Sequence, residues 1–312
     1  MNSVKPSLFE TIKCPICDSP DFSVVRQAQY RDDILEEDFR KLYSASSDSV
    51  LLDQVVCCGN CKLIYVNPRI DGKLLIQAYA DAADPTFVAQ NPERIATFGR
   101  VLAAICRRQG IPPSKEKRVL DVGCAGGAFP KAASELGFQV TGVEPSSWLA
   151  EFGRREYGLD IRTGILEENM FPPASFDIVT MWDVIEHLTD PQGALKTIRG
   201  LLRDDGVLIV NYPDAGSVVA RALGFKWPFW LSVHLIYYTR TTMRLQLEKA
   251  GFEIVHVGTH WQKLKLSYLL FRASQYISLA SILKKAADAT GLGKLGATYN
   301  MGQTLMVARK RR

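Results

Sequence analysis

The sequence predicts an α/β protein with a mostly parallel sheet, preceded by a small cysteine-rich module. From residue 117 onward, short apolar strand-like runs alternate with capped helical patterns, the signature of a parallel sheet covered by helices. A glycine-rich turn, GCAGG at 123–127, follows the first of these strands. Five of the seven cysteines lie before residue 62, which separates the amino-terminal part from the rest.

Composition places the chain among ordinary globular proteins. Of its 312 residues, 47% are hydrophobic and 23% are charged, which excludes a disordered, collagen-like or low-complexity chain. The formal charge of +5 is mild, so no nucleic-acid partner is expected despite the basic tail at 309–312. No apolar run reaches the roughly 18 residues of a membrane-spanning helix. Residues 1–15 lack the apolar core of a signal peptide, so we expect a cytoplasmic protein.

The cysteine spacing predicts a structural zinc site. Cys14 and Cys17 form one CxxC pair, and Cys58 and Cys61 form a second. An odd number of clustered cysteines in a chain without an export signal favours metal over disulfides, although free buried thiols are the alternative. Four sulfur ligands leave no open position on a tetrahedral zinc ion, which makes the site structural rather than catalytic. Cys57 could replace Cys58 as a ligand, but the two-residue spacer before Cys61 favours Cys58.

This zinc-ribbon-like module is assigned to residues 1–70. Gly59 is expected to give the second cysteine turn a positive φ. The β-prone run at 62–66 predicts a strand, and an inserted amphipathic helix at 31–42 is expected to fill the long gap between the pairs. Because so short a module buries little apolar surface, the metal would hold it together.

A helical connector is predicted between residues 71 and 112. Asn91 and Pro92 are a typical helix start, with asparagine as the N-cap and proline in the first turn. Gly110 is placed to end that helix, and the Ile-Pro-Pro sequence at 111–113 indicates a boundary. The remainder, 113–312, forms the large α/β domain.

The glycine turn of that domain predicts a ligand-binding loop. It lies between a strand at 118–122 and a helix at 128–136, and the next strand ends at Glu144, 17 residues after Gly127. An acid at that point is placed to accept hydrogen bonds from ribose hydroxyls. The turn lacks the G-x-G-x-x-G spacing of dinucleotide sites. Asp121 before the first glycine favours a cationic ligand, such as a sulfonium or an amine, over a pyrophosphate.

The large domain resembles the class I S-adenosylmethionine-dependent methyltransferases. The segments at 119–127, 142–146, 175–179, 183–188, 204–210 and 249–252 occur in the family's order and together span about residues 115 to 312. Ala125 departs from the family pattern, because it stands where a middle glycine is usual. Its methyl group is tolerable if φ there is negative, in which case it would slightly tighten the loop without removing the site.

The resemblance implies a Rossmann-like seven-stranded sheet whose last strand, at 301–308, is reversed. It also implies roles for individual residues around S-adenosylmethionine. Asp121 and the backbone of Gly123 and Gly127, in the loop that contains Ala125, would hold the methionine part. Glu144 would hold the ribose, Ile165 and Leu166 would enclose the adenine, and Trp182 and Asp183 would face the cofactor and substrate entrance.

The candidate catalytic residues are His234, His187 and Asp183. A hydroxyl acceptor needs a base, and a nearly neutral histidine suits that role. His234 lies in an insertion at about 213–240 that would cover the acceptor pocket as a lid, although it could instead only pack that lid. His187 would contact the acceptor or fix the loop before Asp190. His256 and His260 are interpreted as structural.

Two further surfaces have open interpretations. Aromatic residues crowd the lid and would either bind a substrate ring or bury the lid itself. They include Trp227, Trp230, Tyr237 and Tyr238. Residues 263–285 show helical apolar spacing with five basic residues. Packing on the core or on a dimer partner is the favoured interpretation there, and peripheral contact with a membrane surface is the alternative.

The sequence therefore predicts an S-adenosylmethionine-dependent methyltransferase with a structural zinc ion. Its acceptor is expected to be a small-molecule or glycan hydroxyl, with a sugar carbon as another option, because zinc-knuckle methyltransferases resemble enzymes of sugar, polysaccharide or secondary-metabolite pathways. One alternative is an RNA methyltransferase that grips RNA through the module, which the acidic residues at 32–38 disfavour. Another is a non-catalytic partner subunit, which the intact loop disfavours. The oligomeric state is left open.

Overall fold

The computed structural model describes residues 8–30, 42–43, 51–80, 83–274 and 278–311. Nearly all of the helix predicted at 31–42 lies outside these residues and stays a prediction. The described residues of the amino-terminal part include the short strands β1 (Phe9–Glu10), β2 (Phe22–Arg26), β3 (Val55–Cys58), β4 (Ile64–Val66) and β5 (Arg69–Ile70). Three helices follow them: α1 (Gly72–Ala80), α2 (Pro85–Val88) and α3 (Asn91–Gln109).

The large domain alternates strands and helices as predicted. Its first part contains β6 (Arg118–Val122), α4 (Ala128–Glu135), β7 (Gln139–Glu144), α5 (Ser147–Tyr157), β8 (Asp160–Thr163), β9 (Phe176–Trp182), α6 (Pro191–Leu201) and β10 (Leu202–Pro213). Its second part contains α7 (Val218–Leu223), β11 (Ile236–Tyr237), α8 (Arg240–Lys249), β12 (Phe252–Thr259), β13 (Gln262–Lys265), α9 (Leu266–Ser274), α10 (Ser278–Ala289), β14 (Gly296–Tyr299) and β15 (Gln303–Lys310).

Seven strands form the central sheet in the order β12-β15-β10-β9-β6-β7-β8. β15 is antiparallel to both of its neighbours, and the pairs from β10 to β8 are parallel. The predicted α/β fold with a reversed last strand is therefore confirmed, with that strand displaced two residues toward the carboxyl end. Every residue of β9 is buried, as expected for a parallel strand covered on both faces.

Two apolar cores lie on opposite faces of this sheet. Along β10, Leu208 and Val210 belong to one core, and Val207 and Ile209 belong to the other, because successive side chains of a strand alternate in direction. Helices α3 and α4 cover the second core. The first core contains residues of α6 and α8 together with Tyr65 from the cysteine-rich module, so module and large domain pack as one body.

Strand pairing also joins the module to the large domain. β11 adds to the sheet β2-β3-β4 as its fourth strand, with Ile236 opposite Tyr65 and Tyr237 opposite Ile64. The Lys249 ammonium group donates hydrogen bonds to the Ile16 carbonyl at 2.6 Å and to Asp18 at 2.7 Å. The residues predicted as a lid are thus hydrogen-bonded to the cysteine-rich module.

Several helix ends follow the sequence, and one does not. Asp190 caps α6 by accepting from the Gly193 N–H, and Gly110 ends α3 in the left-handed conformation at φ 69°. The predicted cap at Asn91 is wrong. Asn91 is already the first helical residue, Gln90 occupies the cap position, and the asparagine side chain points elsewhere.

The second apolar region also differs from its prediction. Residues 262–265 form a strand rather than a helix, and the helical pattern is divided between α9 and α10. Among the described residues, no helix combines the length and the apolar character needed to cross a bilayer.

Candidate functional site

The glycine loop between β6 and α4 has a backbone that few residues can adopt. Gly123 has φ 70° and Gly127 has φ 81°, both in the left-handed region that favours glycine. A Cβ on Gly123 would lie 2.6 Å from a methyl of Val184, and one on Gly127 would lie 2.6 Å from a methyl of Leu159. Conformation and packing therefore both require glycine at these two positions.

Ala125, between those glycines, also lies in the left-handed region. Its φ is 47°, so the negative φ that would make the methyl group easily tolerated is not found. An alanine there costs about 1 kcal/mol in backbone strain. Its N–H donates to Glu144 Oε2 at 2.7 Å, which fixes the strained peptide against the end of β7. Ala125 thus contributes to the loop through its backbone.

Glu144 ties the loop to the neighbouring strand. Its second oxygen, Oε1, accepts from the Ser146 N–H at 2.9 Å, and the side chain is 4% exposed. Burial raises its pKa to about 7, although both backbone donors act against that shift. A carboxylate has about four acceptor positions, so two remain for ligand hydroxyls.

Asp121 lies on β6 close to Glu144. Its Oδ1 accepts from the Thr180 hydroxyl at 2.6 Å, and its side chain is 2% exposed. Burial raises the pKa of Asp121 well above its ordinary value, and the charge of Glu144 raises it further. A cationic ligand placed beside the two carboxyl groups would relieve both effects. The pair therefore fits a sulfonium and an ammonium group better than a phosphate.

The expected adenine wall lies just after β8. The Gly164 N–H donates to the backbone carbonyl of Glu144 at 2.9 Å, which places this turn beside the ribose-binding candidate. Ile165 is 43% exposed, whereas Leu166 is half-buried against the core. An exposed branched aliphatic side chain here suits contact with the flat face of a base.

The connector covers the glycine loop from the other side, which the sequence did not predict. The Asn91 amide donates to the Gly126 carbonyl at 3.2 Å, and a Cβ on Gly126 would lie 2.6 Å from a Val88 methyl. Asn91 is fully buried, and its Oδ1 has no hydrogen-bond partner among the described residues. An orphaned buried acceptor beside the loop is available to a ligand donor. The only sequence signal was an asparagine that looked like a helix cap.

Trp182, predicted to face the entrance, instead packs in the second core. Its ring lies 4.8 Å from Phe98, 5.2 Å from Phe129 and 5.3 Å from His260, measured between ring centroids. It is 9% exposed, and only its indole N–H lacks a partner in the described part of the chain. His260 is buried against the same rings, in agreement with its structural interpretation.

A second group of polar residues lies beyond the end of β9. Glu186, His187 and His234 bring ligand atoms within 4.8 Å of one another, although His234 lies in the lid. The two imidazole rings meet edge to face, with their centroids 4.6 Å apart. The structure therefore unites the two predicted catalytic histidines with a glutamate that the sequence analysis did not assign.

His187 is oriented by two residues distant in sequence. Its Nδ1 lies 2.9 Å from the Val233 carbonyl and 2.5 Å from the Tyr79 hydroxyl. Because a carbonyl only accepts, Nδ1 carries the proton and Nε2 presents a lone pair. Burial lowers the pKa of His187 to about 4, so the ring is neutral at pH 7. Tyr79 was not predicted, because a tyrosine in a connector helix has no motif that marks it.

His234 is held in the same manner. Its Nδ1 donates to the Phe229 carbonyl at 2.9 Å, which leaves Nε2 as an acceptor. Burial lowers its pKa well below the ordinary value, and His187 lowers it further. Two neutral imidazoles thus present basic nitrogens in one buried space.

Glu186 is the third member of this group, and none of the described residues donates a hydrogen bond to its carboxylate. It is 2% exposed, and neither carboxylate oxygen has a hydrogen-bond partner among the described residues. Burial raises its pKa, and the nearby Asp183 raises it further. The raised pKa favours the protonated acid in the empty site, whereas with Glu186 ionised the group offers acceptors only and suits a ligand that brings a proton or a positive charge. A hydroxyl, an amine or a divalent cation meets that condition.

Asp183 lies at the turn between β9 and these residues. Its φ is 54°, and its carboxylate accepts from Asn211 at 2.7 Å and from Gln303 at 2.8 Å. Burial raises its pKa to about 6. These two amides fix the carboxylate from the neighbouring strands β10 and β15.

The predicted aromatic platform is mostly internal, which corrects its assignment to substrate binding. Trp227, Tyr237 and Tyr238 are at most 2% exposed. Trp227 donates to the Met301 carbonyl at 2.6 Å, and Tyr237 donates to the Leu231 carbonyl at 2.8 Å. Trp230 is half-buried and packs on Tyr237, with centroids 4.3 Å apart. These aromatic side chains therefore form the apolar interior of the lid and do not form a surface exposed to substrate.

The four predicted zinc ligands converge in the module. Sγ of Cys14 lies 3.4 Å from Sγ of Cys61, Sγ of Cys17 lies 3.5 Å from Sγ of Cys58, and all four fall within 4.8 Å. Cys57 is not in this group. The sulfur spacing fits a tetrahedral zinc ion.

The cysteine turns are shaped by residues other than the one predicted. Asp18 has φ 59° and Lys62 has φ 64°, and each directly follows the second cysteine of its pair. Gly59 is not among the positive-φ residues, so the expectation for that glycine is wrong. The equivalent positions of Asp18 and Lys62 give both turns the same shape.

Comparison with known families now decides the class. Residues 88–257 match the family model described as "Methyltransferase domain". This chain belongs to that family. Together with the strand order, the match assigns a methyltransferase domain with the class I sheet to this chain.

Curated relatives of this methyltransferase are named ubiquinone biosynthesis O-methyltransferases. The one from Actinobacillus pleuropneumoniae is 34% identical over 105 residues, covering 30% of this chain and 45% of the relative. The mitochondrial one from Schizosaccharomyces pombe is 31% identical over 151 residues, covering 46% and 47%. The chain thus spans about half the length of the curated relatives that it matches.

Solved structures with a similar fold include YcgJ from Bacillus subtilis, at 17% identity and TM-score 0.47, covering 68% of this chain and 98% of YcgJ. Another is an S-adenosylmethionine-dependent methyltransferase from Thermotoga maritima, at 21% identity and TM-score 0.46, covering 71% and 91%.

Proposed function

We propose that this methyltransferase transfers a methyl group to a hydroxyl of a small molecule, with the group Glu186, His187 and His234 receiving that hydroxyl. The observation that supports this most is the buried cluster in which two imidazole nitrogens are left as acceptors and both oxygens of Glu186 lack a hydrogen-bond partner among the described residues. The names of the curated relatives also favour an oxygen acceptor on a small molecule. A glycan hydroxyl or a sugar carbon has no such support and stays an alternative.

The glycine loop and its two acids are the proposed cofactor site. Asp121 and the backbone at Gly123, Ala125 and Gly127 would hold the methionine part, and Glu144 would hold the ribose. Ile165 and Leu166 would cover the adenine. When bound, S-adenosylmethionine supplies a methyl group on a positively charged sulfur, which is already a good leaving group. The remaining help comes from positioning and from removal of the acceptor proton.

The polar group would perform that proton removal. The hydroxyl donates toward Nε2 of His234, which is neutral and therefore ready to accept at pH 7. That nitrogen would take the hydroxyl proton when the oxygen accepts the methyl group and the sulfonium sulfur leaves. Glu186 stabilises the imidazolium that forms, and His187, fixed through Val233 and Tyr79, orients the hydroxyl. Asp183 contributes by holding the turn that carries Glu186.

The zinc module would act on this site indirectly. Its strand β4 pairs with β11 of the lid, and the Leu235 carbonyl, next to His234, accepts from the Val66 N–H at 2.8 Å. The Leu235 N–H donates to the Glu186 carbonyl at 2.9 Å. We therefore propose a structural zinc ion on the four cysteines that holds the lid and both acceptor-side histidines in register.

The experiment that tests the proposal separates cofactor binding from turnover. Purified protein is incubated with S-adenosylmethionine and a panel of phenolic, aliphatic and sugar hydroxyl compounds, and release of S-adenosylhomocysteine is measured. For an accepted compound, His234→Gln and Glu186→Gln should each lower kcat roughly a hundredfold, with S-adenosylmethionine affinity unchanged. His256→Gln is the matched control, because that histidine contacts Arg108 on the second-core side, away from the glutamate. Undiminished kcat in both test variants would refute the assigned role.

A further inference from the structure

A helical hairpin interrupts the sheet between its last two strands in sequence. β13 and β14 pair with each other and carry α9 and α10 between them. Because β12 is antiparallel to β15, the insertion leaves the sheet where β12 ends and β15 begins. That is also the edge at which β6, β7 and β9 end. The hairpin therefore lies at the edge that carries the glycine loop and the lid.

One face of this hairpin is apolar and exposed. On α10, Leu279, Ile282 and Leu283 are 57%, 64% and 49% exposed, and their spacing of three and four residues places them side by side. Ala280 and Ala287, which flank Leu283 at three and four residues on the adjoining face of the helix, are buried. The predicted packing of this helix on the core is therefore not found for these three residues, whereas its alternative, packing on a dimer partner, stays a prediction.

Two more exposed leucines follow the helix. Leu292 is 52% exposed and Leu295 is 59% exposed, in the short turn that leads to β14. Single exposed leucines are common on protein surfaces, whereas five large aliphatic side chains exposed within 17 residues of one hairpin indicate an interaction site. These five residues, 279, 282, 283, 292 and 295, are called the hairpin face below.

The charge around the hairpin face is strongly one-sided. Residues 262–299 contain six basic residues and one acidic residue, so this segment alone accounts for a net charge as large as the +5 of the whole chain. The single acid, Asp288, pairs with Lys284 at 2.7 Å. Lys285 and Lys294 are exposed beside the hairpin face.

We propose that the hairpin face docks onto the surface of an anionic lipid bilayer. An exposed aliphatic face bordered by lysines matches the two components of such a surface, acyl chains and negatively charged headgroups. A second copy of the chain would set two positively charged segments against each other. An RNA partner would leave the leucines without a function.

Docking in this manner would orient the enzyme. The Lys265 N–H donates to Gln90 Oε1 at 3.4 Å, and the Lys265 ammonium donates to the Ala89 carbonyl at 3.3 Å. Both partners lie directly before α3, which covers the glycine loop through Asn91. The edge that binds cofactor and acceptor would thus face the bilayer surface, where an apolar acceptor is concentrated. The proposed membrane contact does not depend on which reaction the enzyme catalyses or on which acceptor it methylates.

Co-sedimentation of the full-length protein with vesicles tests the proposal. We expect binding to vesicles of mixed phosphatidylcholine and phosphatidylglycerol, and much weaker binding to phosphatidylcholine alone. The triple variant Leu279→Ser, Ile282→Ser, Leu283→Ser should lower the partition coefficient on mixed vesicles by roughly tenfold or more. The matched control is Val24→Ser with Val25→Ser, an exposed apolar pair on β2 that should change nothing.

The charge contribution is measured separately. Lys285→Gln and Lys294→Gln should each weaken binding to the mixed vesicles roughly fivefold, without effect on phosphatidylcholine vesicles. An unchanged thermal melt and unchanged S-adenosylmethionine affinity establish that each variant is folded. Absence of binding to the mixed vesicles would overturn the proposal, and so would equal binding by the wild type and the triple variant. If vesicle binding is absent and the triple variant instead abolishes dimerisation or RNA binding, the hairpin face contacts that partner and not a bilayer.

Discussion

Glu144 should make cofactor binding depend on pH near neutrality. Burial raises the pKa of this carboxyl from 4.5 to about 7 in the absence of ligand. Only the ionised form can accept from the Ala125 and Ser146 N–H groups and from ribose hydroxyls at the same time. S-adenosylmethionine should therefore bind less tightly as the pH falls through about 7, and isothermal titration calorimetry can measure this directly.

The magnitude follows from the ionised fraction. With a pKa of about 7, roughly one carboxyl in eleven is ionised at about pH 6, and roughly ten in eleven at about pH 8. Since only protein with ionised Glu144 binds the cofactor, the dissociation constant for S-adenosylmethionine should be about tenfold higher at about pH 6 than at about pH 8. Free-protein stability should change in the opposite direction. A raised pKa contributes stability that is complete below 4.5 and lost as the pH rises through about 7, at most roughly 3 kcal/mol.

The variant Glu144→Gln tests the assignment. It keeps the shape of the side chain but has one acceptor oxygen instead of two, so affinity at about pH 8 should fall and the pH dependence should flatten. Asp121→Asn is the comparison, because burial raises the pKa of that second carboxyl too. Wild-type affinity that stays constant across the range would refute the reasoning. So would a slope that survives in Glu144→Gln and disappears only in Asp121→Asn.

Three further predictions concern metal, loop and histidine. Metal analysis of the wild type should find one zinc ion per chain. Cys58→Ser should abolish that zinc and lower the melting temperature, whereas Cys57→Ser should leave the zinc content and the melting temperature unchanged; a well-folded metal-free wild type would contradict this. Gly123→Ala should destabilise the fold by about 1–3 kcal/mol in denaturant titrations and weaken cofactor binding, because φ is 70° and the added Cβ would lie 2.6 Å from a valine methyl. Tyr79→Phe should lower kcat by about tenfold without changing cofactor affinity, because it frees His187 from its 2.5 Å contact; equal loss of cofactor affinity would indicate a structural role instead.

The cofactor side of the site was predictable because its signals are local. The spacing of a strand, a glycine turn, a helix and a second strand places Asp121 and Glu144 at one edge of a parallel sheet. The paired cysteine motifs are local in the same sense. What the spacing could not give was the backbone conformation, so the positive φ of Ala125 and the ordinary φ of Gly59 were both missed.

The acceptor side was less predictable because it depends on contacts between distant segments. Tyr79 meets His187 across 108 positions of sequence, and Asn91 meets Gly126 across 35. The hydrophobic periodicity of a sequence does not indicate which distant residues will be in contact. The aromatic residues of the lid were also not predictable from sequence. A dense aromatic cluster can be exposed for substrate binding or buried in the lid, and the hydrogen-bond partners that distinguish the two are known only from the structure.

The pairing of β4 with β11 has a consequence for how the chain is made. The sheet β2-β3-β4 receives its last strand from Ile236–Tyr237, which leaves the ribosome long after the four cysteines. Until then the newly made module exposes the backbone edge of β4 and the side of Tyr65 that the large domain later buries. Early zinc capture would keep that incomplete sheet from pairing with other chains while the remaining residues are synthesised.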